Sequence, residues 1–377
     1  MTANFDKTGG RGQPQSLGKN SAEFGSKTAR PNRYYASMNA PASTHSNIGF
    51  GTLEPASVPP NPAIIEAPSA DSASGRPVHR FSPEIGVKMV DLMEGDTRRQ
   101  INCLDHGFVA LLDVMPRLVP QGQTADQAIV QSARVSYGAG TKKVNEDRGL
   151  IRYLLRHRHT TPFEMVEFKF HVAMPIFVAR QWIRHRTANV NEYSGRYSVM
   201  PDRFYRPTVE QVRKQSKSNR QGGGETFDLA ADVNEKSTAE AFVLFLEESE
   251  RLYEKYISLT NQGVSRELAR IGLPVSLYTE WYWKIDLHNL LRFLSLRMDS
   301  HAQEEIQVFA RAMFDLIRPM VPVTVEAFTD YEQDAVHLSK LEIEALQAMA
   351  KGGSPELRSD NKREQAEWQE KRTKLGF

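Results

Sequence analysis

Between Val166 and Val172 the chain alternates strictly: Val166, Phe168, Phe170 and Val172 are apolar, and Glu167, Lys169 and His171 separate them. A period of two is the pattern of a strand with one buried face. Phe108, Ala110, Leu112 and Val114, after Asp105-His106-Gly107, predict a second strand, and the aromatic run Val275 to Ile285 predicts a third. Elsewhere the apolar spacing becomes that of a helix. Ala125 to Val135 carries Ile129, Val130 and Ala133 on one face, and Glu146 to Arg156 carries Leu150, Ile151, Leu154 and Leu155. Pro175 opens a helix expected to run through Arg184, with Ile176, Phe177, Val178, Trp182 and Ile183 as its apolar surface. One long helix is expected over Thr238 to Gln262, with Ala239, Phe242, Phe245, Leu246, Leu252 and Ile257 near one face. Ser265 to Ile271 adds another turn or two, and helices are expected over His288 to Met298 and Glu304 to Ile317. Together these elements predict an α+β fold, a small mixed or antiparallel sheet flanked by long helices.

Composition changes this picture at the two ends. Residues 1–82 are rich in Gly, Pro, Ser, Ala and Asn and poor in large aliphatics, so they cannot offset their ordering entropy by burial. They are expected to form a disordered extension, with order starting near Phe81. Gly12 and Gly18-Lys19-Asn20 miss a phosphate loop by one residue of spacing and by the absence of Ser or Thr after the lysine. Arg11, Lys19, Lys27, Arg30 and Arg33 suggest an organellar presequence, but Asp6, Glu23 and the lack of amphipathic periodicity argue for a plain tail and a cytoplasmic protein. Arg213 to Glu225, ending in Gly222-Gly223-Gly224, is expected to be a flexible, solvated excursion. From Leu338 onward the chain is helical and highly charged, which predicts a peripheral tail over 336–377.

Charge and cysteine usage exclude several classes. The formal net charge is only +2, so nothing global points to a nucleic-acid binder. The single Cys103 rules out an internal disulfide framework and fits a reducing compartment. No apolar run approaches the length of a membrane span. His157 and His159 flank an arginine, but no further ligand follows at helical spacing and no metal is expected.

The informative charge is local. Arg180 to Tyr197 gathers Arg180, Arg184, Arg186, Arg196 and His185 around one carboxylate, Glu192, and one hydroxyl, Ser194. Guanidiniums without matching acids select anions. Arg180 and Arg184 share a helix face, and Asn189, Asn191 and Gly195 predict a loop from which Ser194 and Arg196 approach a phosphate.

Arg184-His185-Arg186, seven residues and then Ser194, continued through Asn191-Glu192 and Ser194-Gly195-Arg196-Tyr197, resembles the signature of the flavin-dependent thymidylate synthases. The likeness spans about Asp105 to Thr329. It also includes His159-Thr160-Thr161-Pro162-Phe163-Glu164, Arg270 before Ile271-Gly272-Leu273-Pro274, and Leu294 to Arg297 before Ser300-His301-Ala302-Gln303. It implies a catalytic domain over 83–335 that methylates deoxyuridine monophosphate to thymidine monophosphate. Methylenetetrahydrofolate would be the carbon donor, FAD the redox carrier and NADPH the reductant, in a homotetramer with shared active sites. Carried across by match, the nucleotide falls to Gln181, Trp182, Ile183, Arg184, Glu192, Tyr193, Ser194, Gly195, Arg196, Arg270 and Arg297. FAD falls to His159, Thr161, Arg184, His185, Arg186, Glu192, Asp286 and His288. Arg297 becomes the catalytic residue, polarising the pyrimidine towards its enolate form. Asn189 stands where some relatives carry a small residue, and Arg292 where relatives often place another polar one.

Plainer readings stand beside these. Arg297 among Phe293, Leu294 and Leu296 is also what a snorkelling arginine looks like, and Arg270 what an exposed helical arginine paired with Glu267 looks like. Ser194 lacks the Gly-x-Ser-x-Gly elbow of a serine nucleophile. Cys103, placed before the first strand with no motif around it, gives no reason to expect thiol chemistry. Two rival functions remain, a flavin-retaining scaffold without activity and a module binding nucleic-acid backbones.

Overall fold

The computed structural model describes residues 88–94, 99–135, 147–216 and 223–377, all within one compact unit, Pro77–Phe377. The expected extension and the onset of order near Phe81 lie outside the described residues.

Strands β1 (Met89–Asp91), β2 (Arg99–Cys103), β3 (Gly107–Met115) and β4 (Leu118–Pro120) come first, then helices α1 (Asp126–Val135) and α2 (Asp147–Arg156). Strand β5 (Glu167–Pro175) runs directly into the short helix α3 (Ile176–Trp182) and then the strand β6 (Asn189–Glu192). A ribbon of β7 (Arg213–Gln215) and β8 (Gly223–Thr226) precedes helices α4 (Val233–Glu250), α5 (Leu252–Asn261) and α6 (Arg266–Ala269). Strand β9 (Tyr278–Asp286) leads into α7 (Leu287–Arg297), followed by α8 (Glu304–Ile317), α9 (Pro322–Phe328), α10 (Lys340–Ala350) and α11 (Lys362–Leu375).

The central sheet has the order β2-β3-β5-β9-β6, and every neighbouring pair is antiparallel. The fold is α+β. The alternation read in β5 sets its register: Phe168, Phe170 and Val172 lie opposite Ile285, Trp283 and Trp281 of β9, and all six are buried. On the other face Glu167 takes Lys284 at 2.8 Å and His171 meets Glu280 at 3.1 Å, cross-strand pairs that keep this side polar. The buried face packs against α7 and α8, and Trp182 from α3 stands in the middle. Its ring stacks on Phe293 at 4.9 Å and meets Trp283 and Trp281 edge-on at 5.3 and 5.6 Å.

Several expectations need correction. The helix after Pro175 ends at Trp182, two residues short of Arg184, and Ile183 and Arg184 form a turn. Asn189 to Glu192 is a strand; its residues are exposed, so no alternation marks it, and only the free edge of β9 supplies its partner. The long helix divides at Arg251 into α4 and α5, and Phe242 and Phe245 are exposed. Both ends of the glycine-rich excursion pair as β7 and β8, whereas residues 217–222 lie outside the described residues. A register shift between Leu111 and Asp113 turns β3 over, so Val109, Leu111 and Val114 enter the core. Cys103 ends β2 and does not precede the first strand; burial pushes its thiol up to about 12. Strands β1, β2 and β4 and helix α9 carry no periodic signal that predicted them. Buried Asp126 shows what fixes α9, accepting the Val323 and Thr324 backbone N–H groups and the Thr324 hydroxyl.

At the C-terminal end, α10 and α11 close on a small cluster of Ala345, Leu357 and Trp368, tied by Lys371 to Glu342 at 2.8 Å. No helix among the described residues is long and apolar enough to cross a membrane.

Candidate active site

Three groups of side chains collect the residues singled out by sequence. The first is a corner where α3 ends, α7 ends and α8 begins. The last turn of a helix leaves carbonyls without intrahelical donors, and Arg297, the last residue of α7, fills one of them: its guanidinium donates to the Gln181 carbonyl at 3.2 Å. Its Nε donates to His185 Nε2 at 3.1 Å. The imidazole therefore accepts at Nε2 and keeps its proton on Nδ1. Its face meets Phe293 edge-on at 4.9 Å. Burial, then the charges of Arg297 and Arg292, pull His185 down to about 4. Arg297 is half-buried, and among the described residues no carboxylate neutralises it. The Gln181 carboxamide donates to Gln303, the residue that opens α8.

These contacts carry a consequence for pH. Folded His185 takes up its proton near pH 4 and an unperturbed histidine near 6.5. Between those values the unfolded state holds the extra proton, so the contribution to stability is full above about 6.5 and is lost as pH falls to about 4. An NMR titration of the His185 ring is expected to show a midpoint near 4; a midpoint at 6.5 would mean that the ring is neither buried nor beside Arg297.

The second group follows β6. Glu192 is held by the Thr279 hydroxyl at 2.8 Å, and the Tyr193 N–H donates to the Glu280 carbonyl. Ser194 then begins a turn: its carbonyl accepts from the N–H groups of Tyr197 and Ser198, and its Oγ accepts from the Arg196 N–H at 3.3 Å. Gly195 is buried where a Cβ would stand 2.6 Å from Met200 Sδ and 3.1 Å from Arg270 Cδ, so a side chain there would push Arg270 away. Glu267 pairs with Arg196 at 3.1 Å, not with Arg270. Both partners are more than half exposed, so this pair is worth little and yields readily to a better anion. Arg266 donates to the Tyr197 carbonyl at 2.6 Å and braces the same turn.

The third group is a cleft of about 330 Å³ with apolar walls of Leu154, Leu155, Phe163, Leu291 and Phe328 and a mainly basic rim of Arg158, His159, His288 and Arg292 with one carboxylate, Glu332. Arg158 adopts φ 58, the left-handed conformation that usually ends a helix at glycine, and this turn places His159 at the cleft. Nothing in the sequence marked that conformation. Arg184 and Arg186 are exposed beside the first group.

For four expected site residues the side chain is engaged within the protein or lies outside the cleft. The Trp182 side chain is fully buried in the aromatic core, which leaves only its backbone to a ligand. Ile183 packs partly into the same core. Both carboxylate oxygens of Asp286 are engaged by Asn289, as a cap on α7. Thr161 is exposed in the turn preceding β5 and is not among the cleft-lining residues. Conversely, Gln303, Thr279, Met200 and Arg158 position the expected residues without having been assigned, and of these only Gln303 lay within a quoted motif.

Sheet, cationic corner and basic-rimmed cleft define an α+β protein suited to phosphorylated, ring-bearing ligands. The family described as "Thymidylate synthase complementing protein" matches residues 117–323. A "Flavin-dependent thymidylate synthase" of Dictyostelium discoideum is 60% identical over 298 residues, 79% of this chain and 94% of that one. One from Wolbachia pipientis wMel is 51% identical over 249 residues, 66% of this chain and 83% of the relative. Among solved structures, a UMP/dUMP methylase, PolB from Streptomyces cacaoi bound with 5-Br dUMP, superposes with a TM-score of 0.52 at 33% identity, over 62% of this chain and 99% of its own. The chain belongs to the flavin-dependent thymidylate synthase family.

Proposed function

We propose that this protein methylates deoxyuridine monophosphate to thymidine monophosphate as a flavin-dependent enzyme, with methylenetetrahydrofolate as carbon donor and NADPH as reductant. The observation that carries the reading is Arg297, a half-buried guanidinium held between a neutral imidazole and a helix-end carbonyl with no carboxylate among the described residues facing it. A cation kept short of its counter-charge stabilises negative charge that develops on a neighbouring ring, here the enolate of a uracil activated for attack at carbon. Ser194, Gly195, Arg196 and Arg270 take the phosphate; Gln181, Arg184, Glu192 and Tyr193 orient the nucleotide.

The donor set fits a flavin: apolar walls suit the ring system, and the cationic rim with Arg184, His185 and Arg186 suits the pyrophosphate. His159 and His288 face it, and Glu192, Thr161 and Asp286 complete the assignment. When bound, FAD supplies the electrons for the reductive step, and the protein contributes orientation and electrostatics. A cleft of about 330 Å³ holds part of so large a cofactor, and in the expected homotetramer with shared sites the rest would lie against a neighbouring subunit. In the domain reading, 83–335 carries the chemistry, with 1–82 and 336–377 as an extension and a tail.

The test is oxidation of NADPH by purified protein with and without deoxyuridylate and methylenetetrahydrofolate. Deoxyuridylate-dependent oxidation with formation of thymidylate supports the reading; a yellow protein without it would be the inactive scaffold. Ser194→Ala is expected to raise the KM for deoxyuridylate about tenfold, the worth of one hydrogen bond to a charged group, with kcat nearly unchanged. Loss of turnover at saturating nucleotide would instead make Ser194 a nucleophile.

A further inference from the structure

We propose that Gln303 is a positioning residue that fixes the direction of the Gln181 carboxamide and, through it, the preference of the nucleotide site for a uracil over a cytosine ring. The inference rests on the reading of Gln181 as a nucleotide-binding residue.

Gln181 is held at both its main chain and its side chain. Its backbone carbonyl accepts from Arg297, at the end of α7, and its side-chain Nε2 donates to Gln303 Oε1, at the start of α8. Gln303 is itself anchored, because its carbonyl accepts from the N–H groups of Ile306 and Gln307 in the first turn of α8. Its side chain makes no capping bond to its own helix, so the carboxamide is committed to Gln181.

The direction of this bond matters because a carboxamide has a donor end and an acceptor end. Gln303 also lines a second pocket, which includes Glu305 and Ser276. Ser276 is buried with its hydroxyl unpartnered, and the Glu305 carboxylate accepts from Tyr205. A carboxylate only accepts and a hydroxyl can accept, so this pocket suits the Gln303 nitrogen, in keeping with the bond from Gln181 Nε2 to the Gln303 oxygen. With Nε2 of Gln181 bound to that oxygen, its Oε1 is left as a fixed acceptor.

A uracil presents an N3–H donor between two carbonyls, whereas a cytosine presents a lone pair at N3. A fixed acceptor pairs with the first and repels the second, and an unmet polar group in a half-buried site is strongly discriminating. If Gln181 could rotate freely, its donor end would serve cytosine equally well.

The experiment measures binding of deoxyuridine monophosphate and deoxycytidine monophosphate to the full chain with flavin, by calorimetry, in the parent, Gln303→Glu, Gln303→Leu and Gln303→Lys. Q303E retains an acceptor for Gln181 and is expected to keep the ratio of the two affinities within about threefold of the parent. Q303L releases the carboxamide and Q303K reverses it; each is expected to lower the ratio by about tenfold or more, chiefly through weaker deoxyuridylate binding. Q303M replaces Q303L if the latter loses its thermal transition. An unchanged ratio in both Q303L and Q303K overturns the proposal. Gln181→Ala separates the two readings: if it weakens deoxyuridylate binding while the Gln303 variants leave the ratio intact, only the present proposal fails. If it leaves deoxyuridylate binding unchanged, the assignment of Gln181 fails and the proposal falls with it.

Discussion

Arg297→Ala is expected to lower deoxyuridylate-dependent turnover on the order of 10²- to 10³-fold, the usual effect of removing one preorganised donor from developing negative charge. Flavin retention should survive, because Arg297 does not line the basic-rimmed cleft. Removal of the charge should also relieve His185, whose ring then titrates higher than about 4. Kinetics and the visible absorbance of the purified variant check both parts together. Full activity would return Arg297 to the snorkelling arginine that its apolar neighbours alone suggest.

The second large effect is on stability. Trp182→Ala removes a fully buried indole that touches Phe293, Trp281, Trp283 and Phe309, and it should cost about 3–5 kcal/mol in urea unfolding. Trp182→Phe keeps most of the packing and should recover most of that loss. A near-native unfolding midpoint for the alanine variant, with a raised KM for deoxyuridylate, would restore Trp182 to the nucleotide-binding set from which its burial removes its side chain.

Much of the fold was legible because local patterns suffice where an element faces the core along its whole length. Strand β5 alternates, and α1, α2 and α8 carry their buried residues at helical spacing. The arginine-rich stretch was legible for a different reason: clustered guanidiniums short of acids are unusual in any context. Beside β1, β2, β4 and α9, four further places were not legible. An exposed edge strand such as β6 has no alternation to show, a break such as that at Arg251 leaves the apolar spacing intact, and the turn over of β3 depends on a register shift against β5. The left-handed turn at Arg158 lacks the glycine that would have announced it.

The sequence by itself determined the helices and strands that bury one face and the residue types able to grip an anion, since both depend on neighbours only a few positions apart. The tertiary structure decided which of those residues meet. His185 and Arg297 are 112 positions apart, and Gln181 and Gln303 are 122 apart. Such pairs form only after the packing of α3, α7 and α8 around Trp182 has brought three element ends to one corner. Tertiary structure also divided neighbouring residues between core and site, burying Trp182 and exposing Arg184 within three positions, because the chain turns there and a side chain's environment depends on that turn.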